Sequence, residues 1–169
     1  DSVRLVDNNY QELVDIQFLM IKGVPPRDII SLQMLWPHDK YNYGYATNFN
    51  ELLPTFTANI PEESVAARWK SRVTGHGMSE PSNCAEFCPR WHYYLIDGEQ
   101  RFNQSVWRDD CGWNPLFPQG GTWVYNRSNW CPGAEVETYD FDITPYITPG
   151  ESIDFKHNAQ NYTLTGGWS

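Results

Sequence analysis

Proline and glycine interrupt this chain so often that few stretches are long enough to form a helix. The 169 residues include 12 prolines and 12 glycines, and both types are spread along the chain. Proline removes a backbone donor and glycine weakens helices, so the short windows between them favour strands and turns. The best helical candidate is residues 60–67, which could equally be a turn that leads into a strand.

Short runs that alternate apolar and polar side chains occur throughout the sequence. This two-residue period is typical of strands with one solvated face. Asp97-Gly98 joins two such runs and is a strong signal for a β-hairpin turn. The predicted strands are 13–20, 29–36, 66–73, 91–96, 100–107, 139–143, 153–155 and 162–165, with a turn at 166–169. About eight short strands predict an all-β antiparallel sandwich, with an eight-stranded jelly roll as the leading version.

Length and charge exclude two classes of protein. The formal net charge is −9 and no basic run occurs, which argues against binding to a nucleic acid backbone. No apolar run approaches the roughly 18 residues that a membrane-spanning helix needs. The length suits one core-forming domain.

The four cysteines fall into two local pairs, Cys84/Cys88 and Cys111/Cys131. Structural zinc sites favour matched pairs of closely spaced cysteines, and these two spacings differ, so disulfides are the better interpretation. Disulfides predict a secreted, periplasmic or surface-exposed protein. A bridge between Cys84 and Cys88 would hold Glu86 in a small loop, where a fixed carboxylate suits water activation. The alternative is a disulfide that only stabilises the loop, with a glutamate that is solvated and has no role in a site.

A second candidate region is the long stretch 109–133, which has little periodicity. Loops of this length in a compact domain are usually functional. Its Arg127 can hold a carboxylate with two parallel donors, and its Trp130 offers a rigid aromatic face; an arginine packed over a tryptophan is the alternative. His76, between two glycines, is a candidate site-lining residue or simply an exposed histidine. The histidine spacings match no copper or zinc pattern, so we expect no metal and no cofactor.

Three motifs carry a family resemblance: Thr74-Gly75-His76-Gly77, Asn83-Cys84-Ala85-Glu86-Phe87-Cys88, and Arg127-Ser128-Asn129-Trp130-Cys131-Pro132-Gly133. Together they resemble the peptide-N-glycosidase F family, bacterial enzymes that remove asparagine-linked glycans from glycoproteins. The resemblance implies two side-by-side antiparallel jelly rolls, of which this chain is similar to the second. Residues 1–12 would be a remnant of the linker or preceding domain. Residues 13–169 would form the C-terminal-like domain, which could lack its last strand.

The resemblance also assigns expected roles to the candidate residues. Glu86 would help to bind the core chitobiose and to order the attacking water. Arg127 would steady a catalytic aspartate, and Trp130 would line the same cleft. His76 stands where the family's best-known member has a tryptophan, so this sugar contact would differ.

Two acidic parts of the family pattern are missing from this chain. The main catalytic aspartate lies in a Glu-Trp-Asp-Arg segment of the first domain, and no such segment occurs here. A further acidic residue, in a Glu-Thr-Trp stretch, has no counterpart in residues 1–11. The resemblance therefore predicts part of a deglycosylating amidase that acts on N-linked glycoproteins together with an N-terminal jelly-roll domain, and an isolated chain that is inactive.

Two other functions compete with this prediction. A binding module would keep the chitobiose-contacting loop and lack hydrolysis. A copper monooxygenase is suggested only by the shared fold, which does not carry function by itself.

Overall fold

Antiparallel β-strands make up most of the regular structure of this chain. The computed structural model describes residues 17–36, 40–44, 47–79, 85–161 and 167–168. The strands are β1 Phe56–Asn59, β2 Arg68–Ser71, β3 Met78–Ser79, β4 Arg90–Ile96, β5 Glu99–Val106, β6 Tyr139–Asp142, β7 Ser152–Ala159 and β8 Gly167–Trp168. Within these ranges the helical elements are the single turn α1 Phe49–Leu52 and the 3-10 turns Cys111–Trp113 and Thr144–Tyr146. The all-β antiparallel prediction is confirmed.

The strands form one four-stranded sheet and two strand pairs. The larger sheet has the order β1-β7-β4-β5, while β2 pairs with β6 and β3 pairs with β8. In the register of these pairs, Phe56 lies opposite Phe155 and Trp69 lies opposite Phe141. Strands from the first half of the described region therefore pair with strands from its last part.

Aromatic packing joins the β2–β6 pair to the larger sheet. The Trp69 ring lies edge-on to Tyr94 and Phe155, at centroid distances of 5.1 and 4.9 Å. Burial alternates along β4 and β7, so every second side chain enters the space between the layers. The buried core consists of Ala58, Trp69, Tyr94, Ile96, Ile143, Ile153 and Phe155. Sandwich packing of this kind fixes the end of β2 and the start of β4, and two loops of the candidate site lie next to these points.

Two histidines meet at one end of this core. A ring nitrogen of His92 and one of His157 lie 2.8 Å apart, so that one donates a hydrogen bond and the other accepts it. The Tyr94 ring stacks on His157 at 4.7 Å, and the edge of Phe49 faces both imidazoles. Burial lowers the pKa of His92 to about 4 and lowers the pKa of His157 well below its usual value. Both rings are therefore neutral near pH 7.

The hairpin between β4 and β5 forms as the sequence predicts. Asp97 and Gly98 both have positive φ angles, 50° and 79°, and Ile96 lies opposite Glu99. A two-residue turn of this type matches the right-handed twist of its strands. The predicted strands at 66–73, 139–143 and 153–155 are also present, the first two shorter than predicted and the third longer.

Five local predictions need correction or lie partly or wholly outside the described residues. Residues 17–20 and 29–36, predicted as strands, form no strand within the described part of the chain, because alternation marks a face to be buried but does not supply a partner strand. Residues 60–67 form no helix; the Ser64 amide donates to the Pro61 carbonyl in a turn, the alternative noted above. The predicted turn at 166–169 contains β8 instead, because pairing with β3 overrides the local glycine signal. Residues 13–16 and 162–166 lie outside the described residues.

Across the described ranges, none of the helices has the length and apolar character required to cross a membrane.

Candidate active site

Three loop segments meet to form the candidate site. They are residues 74–77 after β2, residues 85–88 before β4, and residues 127–131. The Gly75 amide donates to the Ser128 carbonyl at 3.1 Å, the Ser128 amide to the Glu86 carbonyl at 2.8 Å, and the Glu86 amide to the Gly77 carbonyl at 3.1 Å. Each segment is thus bonded through its backbone to the other two, which fixes the positions of their side chains.

Gly75 allows the three segments to approach this closely. A Cβ atom at this position would lie 2.7 Å from the Ser128 Cβ and 2.8 Å from the Ala85 carbonyl oxygen. Real Cβ atoms do not approach other atoms so closely, and neither neighbour is the end of a flexible side chain. Only glycine therefore fits at position 75.

The variant Gly75→Ala is expected to destabilise the protein by about 1–3 kcal/mol, the usual effect of overpacking a filled site. The added methyl group must separate residues 74–77 from residues 127–131 and break the Gly75–Ser128 hydrogen bond. Urea unfolding measures the loss. Gly120→Ala is the matched control, because a Cβ there meets nothing within 4 Å. Equal stability of the two variants would contradict the close packing.

Ser128 holds the loop that carries Glu86, and Asn129 holds the chain just after β2; sequence reasoning missed both roles. The Ser128 hydroxyl lies 3.0 Å from the Cys88 carbonyl oxygen and donates to it, and the side chain is 1 % exposed. Asn129 has a φ of 59°, a conformation that asparagine tolerates, and its side-chain amide donates to the Val73 carbonyl at 2.8 Å. In the sequence, these roles are indicated by the position of Ser128 and Asn129 directly after Arg127 in the third motif.

A buried ion pair joins Glu86 to Arg127. The guanidinium Nη1 donates to Glu86 Oε1 at 2.7 Å. The Glu86 side chain is 13 % exposed and the Arg127 side chain 3 %. Arg127 also donates from Nε to the Tyr125 carbonyl and from Nη2 to the carbonyl and hydroxyl oxygens of Thr122. One arginine therefore connects the Glu86 loop to the long loop 109–133.

Trp130 and His76 complete the cluster. The Arg127 guanidinium lies 4.6 Å from the Trp130 ring centroid, within cation–π range, and 5.1 Å from that of Phe87. The His76 ring lies 4.9 Å from Trp130, whose indole nitrogen donates to the Gly75 carbonyl at 3.0 Å. The arginine is thus packed over the tryptophan and bonded to the glutamate through one donor, instead of the two parallel donors that the sequence analysis considered.

His76 is the most exposed member of the cluster. Partial desolvation of its ring lowers the pKa of His76; the nearby Glu86 raises it, and Lys40 and Arg127 lower it further. Its Nε2 forms a 2.8 Å hydrogen bond with the Thr74 hydroxyl. A neutral imidazole at this position can exchange hydrogen bonds with hydroxyl groups of a ligand.

The cysteine predictions are confirmed as far as the described residues extend. Cys111 and Cys131 form a disulfide that closes the base of the long loop. Cys88 is disulfide-bonded, and Cys84, the partner expected from the sequence, lies outside the described residues.

The geometry favours Glu86 as an acceptor held in a fixed position. An ionised carboxylate has about four lone-pair sites on its two oxygens, of which the bond to Arg127 uses one. The remaining sites can receive a hydroxyl group or a water molecule. The arrangement therefore suits binding of a hydroxyl-rich ligand and positioning of a water.

Comparison with known proteins places this chain in a family. Residues 42–167 match the model for "Peptide-N-glycosidase F, C terminal". A crystal structure of peptide-N(4)-(N-acetyl-β-D-glucosaminyl) asparagine amidase matches with a TM-score of 0.66 and 26% identity, over 74% of this chain and 41% of that one. PNGase F, a glycosylasparaginase from Flavobacterium meningosepticum, matches with a TM-score of 0.65 and 25% identity, over the same shares.

A more distant structure supports the fold alone. PNGF-II matches with a TM-score of 0.53 and 17% identity, over 71% of this chain and 22% of that one. Among curated proteins the comparison finds no match. The chain spans 41% of the length of the two amidase structures described above.

The family match covers most of the chain, and the structural matches agree with the antiparallel jelly-roll prediction. The chain belongs to the peptide-N-glycosidase F C-terminal domain family.

Proposed function

We propose that this chain supplies one side of the active cleft of a glycoprotein-deglycosylating amidase, which hydrolyses the amide between asparagine and the first N-acetylglucosamine of an N-glycan. The buried pair of Glu86 and Arg127 is the observation that carries the proposal. Glu86 binds the chitobiose core and orders the attacking water, and Arg127 fixes that carboxylate. Trp130 and His76 line the same side of the cleft.

The chemistry of amide hydrolysis explains why the chain needs a partner domain. The reaction requires a base for the water and donors for the developing oxyanion. Glu86 is held by a guanidinium, which suits an acceptor better than a proton-abstracting base. Loss of a general base typically lowers the rate by about 10²–10⁴-fold. The principal acid of the family pattern is absent from this sequence, so the isolated chain is inactive.

The compartment follows from the disulfides and the substrate. The bond between Cys111 and Cys131 persists in an oxidising environment, and N-linked glycoproteins are encountered outside the cytosol. We therefore place the enzyme in the secreted, periplasmic or outer-surface fraction.

Glycan release tests the proposal directly. In the longest native polypeptide that contains this chain, Glu86→Gln is expected to lower the rate of glycan release at least about 100-fold, because the amide replaces one carboxylate acceptor with a donor and no longer holds the attacking water in place. Glu63→Gln, an exposed glutamate in the turn after β1, is the matched control and keeps the wild-type rate. Equal rates for Glu86→Gln and wild type would remove Glu86 from the mechanism.

The same variants separate the amidase from a binding module. A module without hydrolysis would bind chitobiose in calorimetry, lose that binding with Glu86→Gln, and release no glycan even as the longest native polypeptide. Release of glycan by the wild-type polypeptide excludes this second function.

A further inference from the structure

The long loop 109–133 carries large apolar side chains that are exposed to solvent. Trp113 is 88 % exposed, Phe117 74 % and Tyr125 59 %, and Leu116 and Val124 are also exposed. We call these five residues the loop patch. Exposed apolar side chains that are grouped in this way mark interaction surfaces in stable proteins.

Two stretches of the loop lie side by side and hold the loop patch in place. A Cβ atom at Gly112 would lie 3.5 Å from Val124 Cγ2, so the valine packs on the backbone that precedes Trp113. The Phe117 ring lies edge-on to the partly buried ring of Trp123, with centroids 5.6 Å apart. The disulfide described above closes the base of the same loop. The loop patch is therefore a surface of defined shape.

The amide side chains of the loop are bonded to its own backbone. The Asn114 side chain donates to the Pro132 carbonyl and accepts from the Leu116 amide at 2.9 Å. The Gln119 side chain donates to the same Pro132 carbonyl at 3.0 Å. These groups are engaged within the loop, so a hydroxyl-rich ligand would find few of the donors and acceptors that sugar recognition requires. The loop patch therefore suits apolar side chains of a polypeptide better than a further part of a glycan.

Arg127 joins the loop patch to the Glu86 site. The guanidinium that donates to Glu86 also donates to the carbonyl of Tyr125, which is a residue of the patch. The loop patch therefore begins beside the proposed sugar site. The bond that such an amidase hydrolyses joins a sugar to an asparagine, so a substrate with its chitobiose at Glu86 places its polypeptide close to this site.

We propose that the loop patch binds the polypeptide part of the glycoprotein substrate, through apolar side chains that flank the glycosylated asparagine. This inference rests on the proposed function and adds a determinant of specificity to it. Trp113 and Phe117, the most exposed residues of the patch, supply the main contacts. Apolar residues are mostly buried in folded proteins, so the surface favours glycopeptides and unfolded glycoproteins as substrates.

Kinetics with two glycopeptides test the proposal in the longest native polypeptide that contains this chain. Both substrates carry the same glycan; one has leucine and phenylalanine around the asparagine, and the other has glycine and serine. The double variant Trp113→Ser/Phe117→Ser is expected to raise KM for the apolar glycopeptide at least about 10-fold, because aromatic residues often contribute this much at binding surfaces. KM for the polar glycopeptide and both kcat values are expected to stay unchanged, since the lost contact stabilises ground state and transition state equally.

Val65→Ser is the matched control for this variant. Val65 is 89 % exposed and lies between β1 and β2, outside the long loop, so its replacement is expected to leave both KM values at the wild-type level. An equal rise of KM for both glycopeptides in the double variant would overturn the proposal and assign the patch to packing against another part of the enzyme. Unchanged KM values for both would also reject it. A lower oligomeric state of the double variant in light scattering would assign the patch to a second copy of the chain.

Photo-crosslinking separates this inference from the proposed function, because it does not require hydrolysis. A benzophenone side chain next to the asparagine of the apolar glycopeptide is expected to react within residues 113–125, as mapped by mass spectrometry. Crosslinks that map only to other residues would contradict the proposal. If the wild-type polypeptide forms these crosslinks but releases no glycan, the amidase function fails and the polypeptide-binding surface stands.

Discussion

Replacement of Arg127 by alanine is expected to lower the free energy of unfolding by about 3–5 kcal/mol, the usual effect of removing one partner of a buried ion pair. The Arg127 side chain is 3 % exposed, and its removal leaves the Glu86 carboxylate without its guanidinium. The donors to Thr122 and Tyr125 and the contact with Trp130 are lost at the same time. Since domains are stable by only about 5–15 kcal/mol, this is a large fraction of the total.

Urea unfolding of three variants measures the effect. Arg101→Ala is the matched control, because Arg101 also pairs with a carboxylate, Glu99, and lies over an aromatic ring, Tyr146, but is more exposed. Its loss is expected to remain below about 1 kcal/mol. Arg127→Lys keeps the charge without the planar fork and is expected to fall between the two.

The double variant Glu86→Gln/Arg127→Ala shows whether the unpaired charge is the cause. Once the carboxylate is neutral, no buried anion is left uncompensated, so the double variant is expected to be at least as stable as Arg127→Ala alone. Strictly additive losses would mean that the two side chains act independently, contrary to the 2.7 Å contact.

Acid is expected to destabilise the protein steeply between about pH 6.5 and pH 4 because of the histidine pair in the core. In the unfolded chain the pKa of His92 has its usual value of about 6.5, and burial lowers it to about 4 in the folded protein. As the pH falls, the unfolded state therefore binds the proton first. The contribution of neutral His92 to stability is fully present above about pH 6.5 and is lost as the pH decreases toward 4. For His92 alone, this shift corresponds to about 3 kcal/mol.

His157 and His76 act in the same direction, because both have a lowered pKa. The carboxyl groups of Asp110 and Asp140 titrate below this window, since hydrogen bonds from Arg108 and Lys70 hold their pKa values below the usual range. The interval between pH 6.5 and 4 thus reports mainly on histidines.

Urea midpoints between pH 7.5 and 4.5 test this behaviour. Wild type is expected to lose stability with falling pH. In His157→Gln the side chain at position 157 cannot be protonated, so the slope of the free energy of unfolding against pH is expected to be smaller by the equivalent of about one proton. An unchanged slope in the variant would show that the pair does not govern the acid response.

The part of the fold that sequence predicts well is the part that depends on neighbours in the chain. Asp97-Gly98 correctly predicts the β4–β5 hairpin, because a two-residue turn with positive φ angles depends only on the local sequence. The pairing of β1 with β7 could not be derived in this way. Phe56 meets Phe155 through the packing of the whole domain, and no local pattern specifies it.

The candidate site shows the same division. The sequence motifs brought Glu86, Arg127 and Trp130 together as one site, but Arg127 was expected to steady an aspartate of another domain. Its bond to Glu86 depends on the backbone register between residues 85–88 and 127–131, which Ser128 sets. The need for glycine at position 75 likewise arises only when the three segments are assembled.

The pairing of early strands with late ones also determines how the chain can fold during its synthesis. β1 pairs with β7 and β2 pairs with β6, so neither pair can form until residues near the end of the described region have left the ribosome. The β4–β5 hairpin is the one strand pair in the described part of the chain that joins consecutive strands, and it is the natural nucleus. Until β7 has been synthesised, β1 and β4 lack their common partner, and unpaired strands of this kind are prone to aggregation.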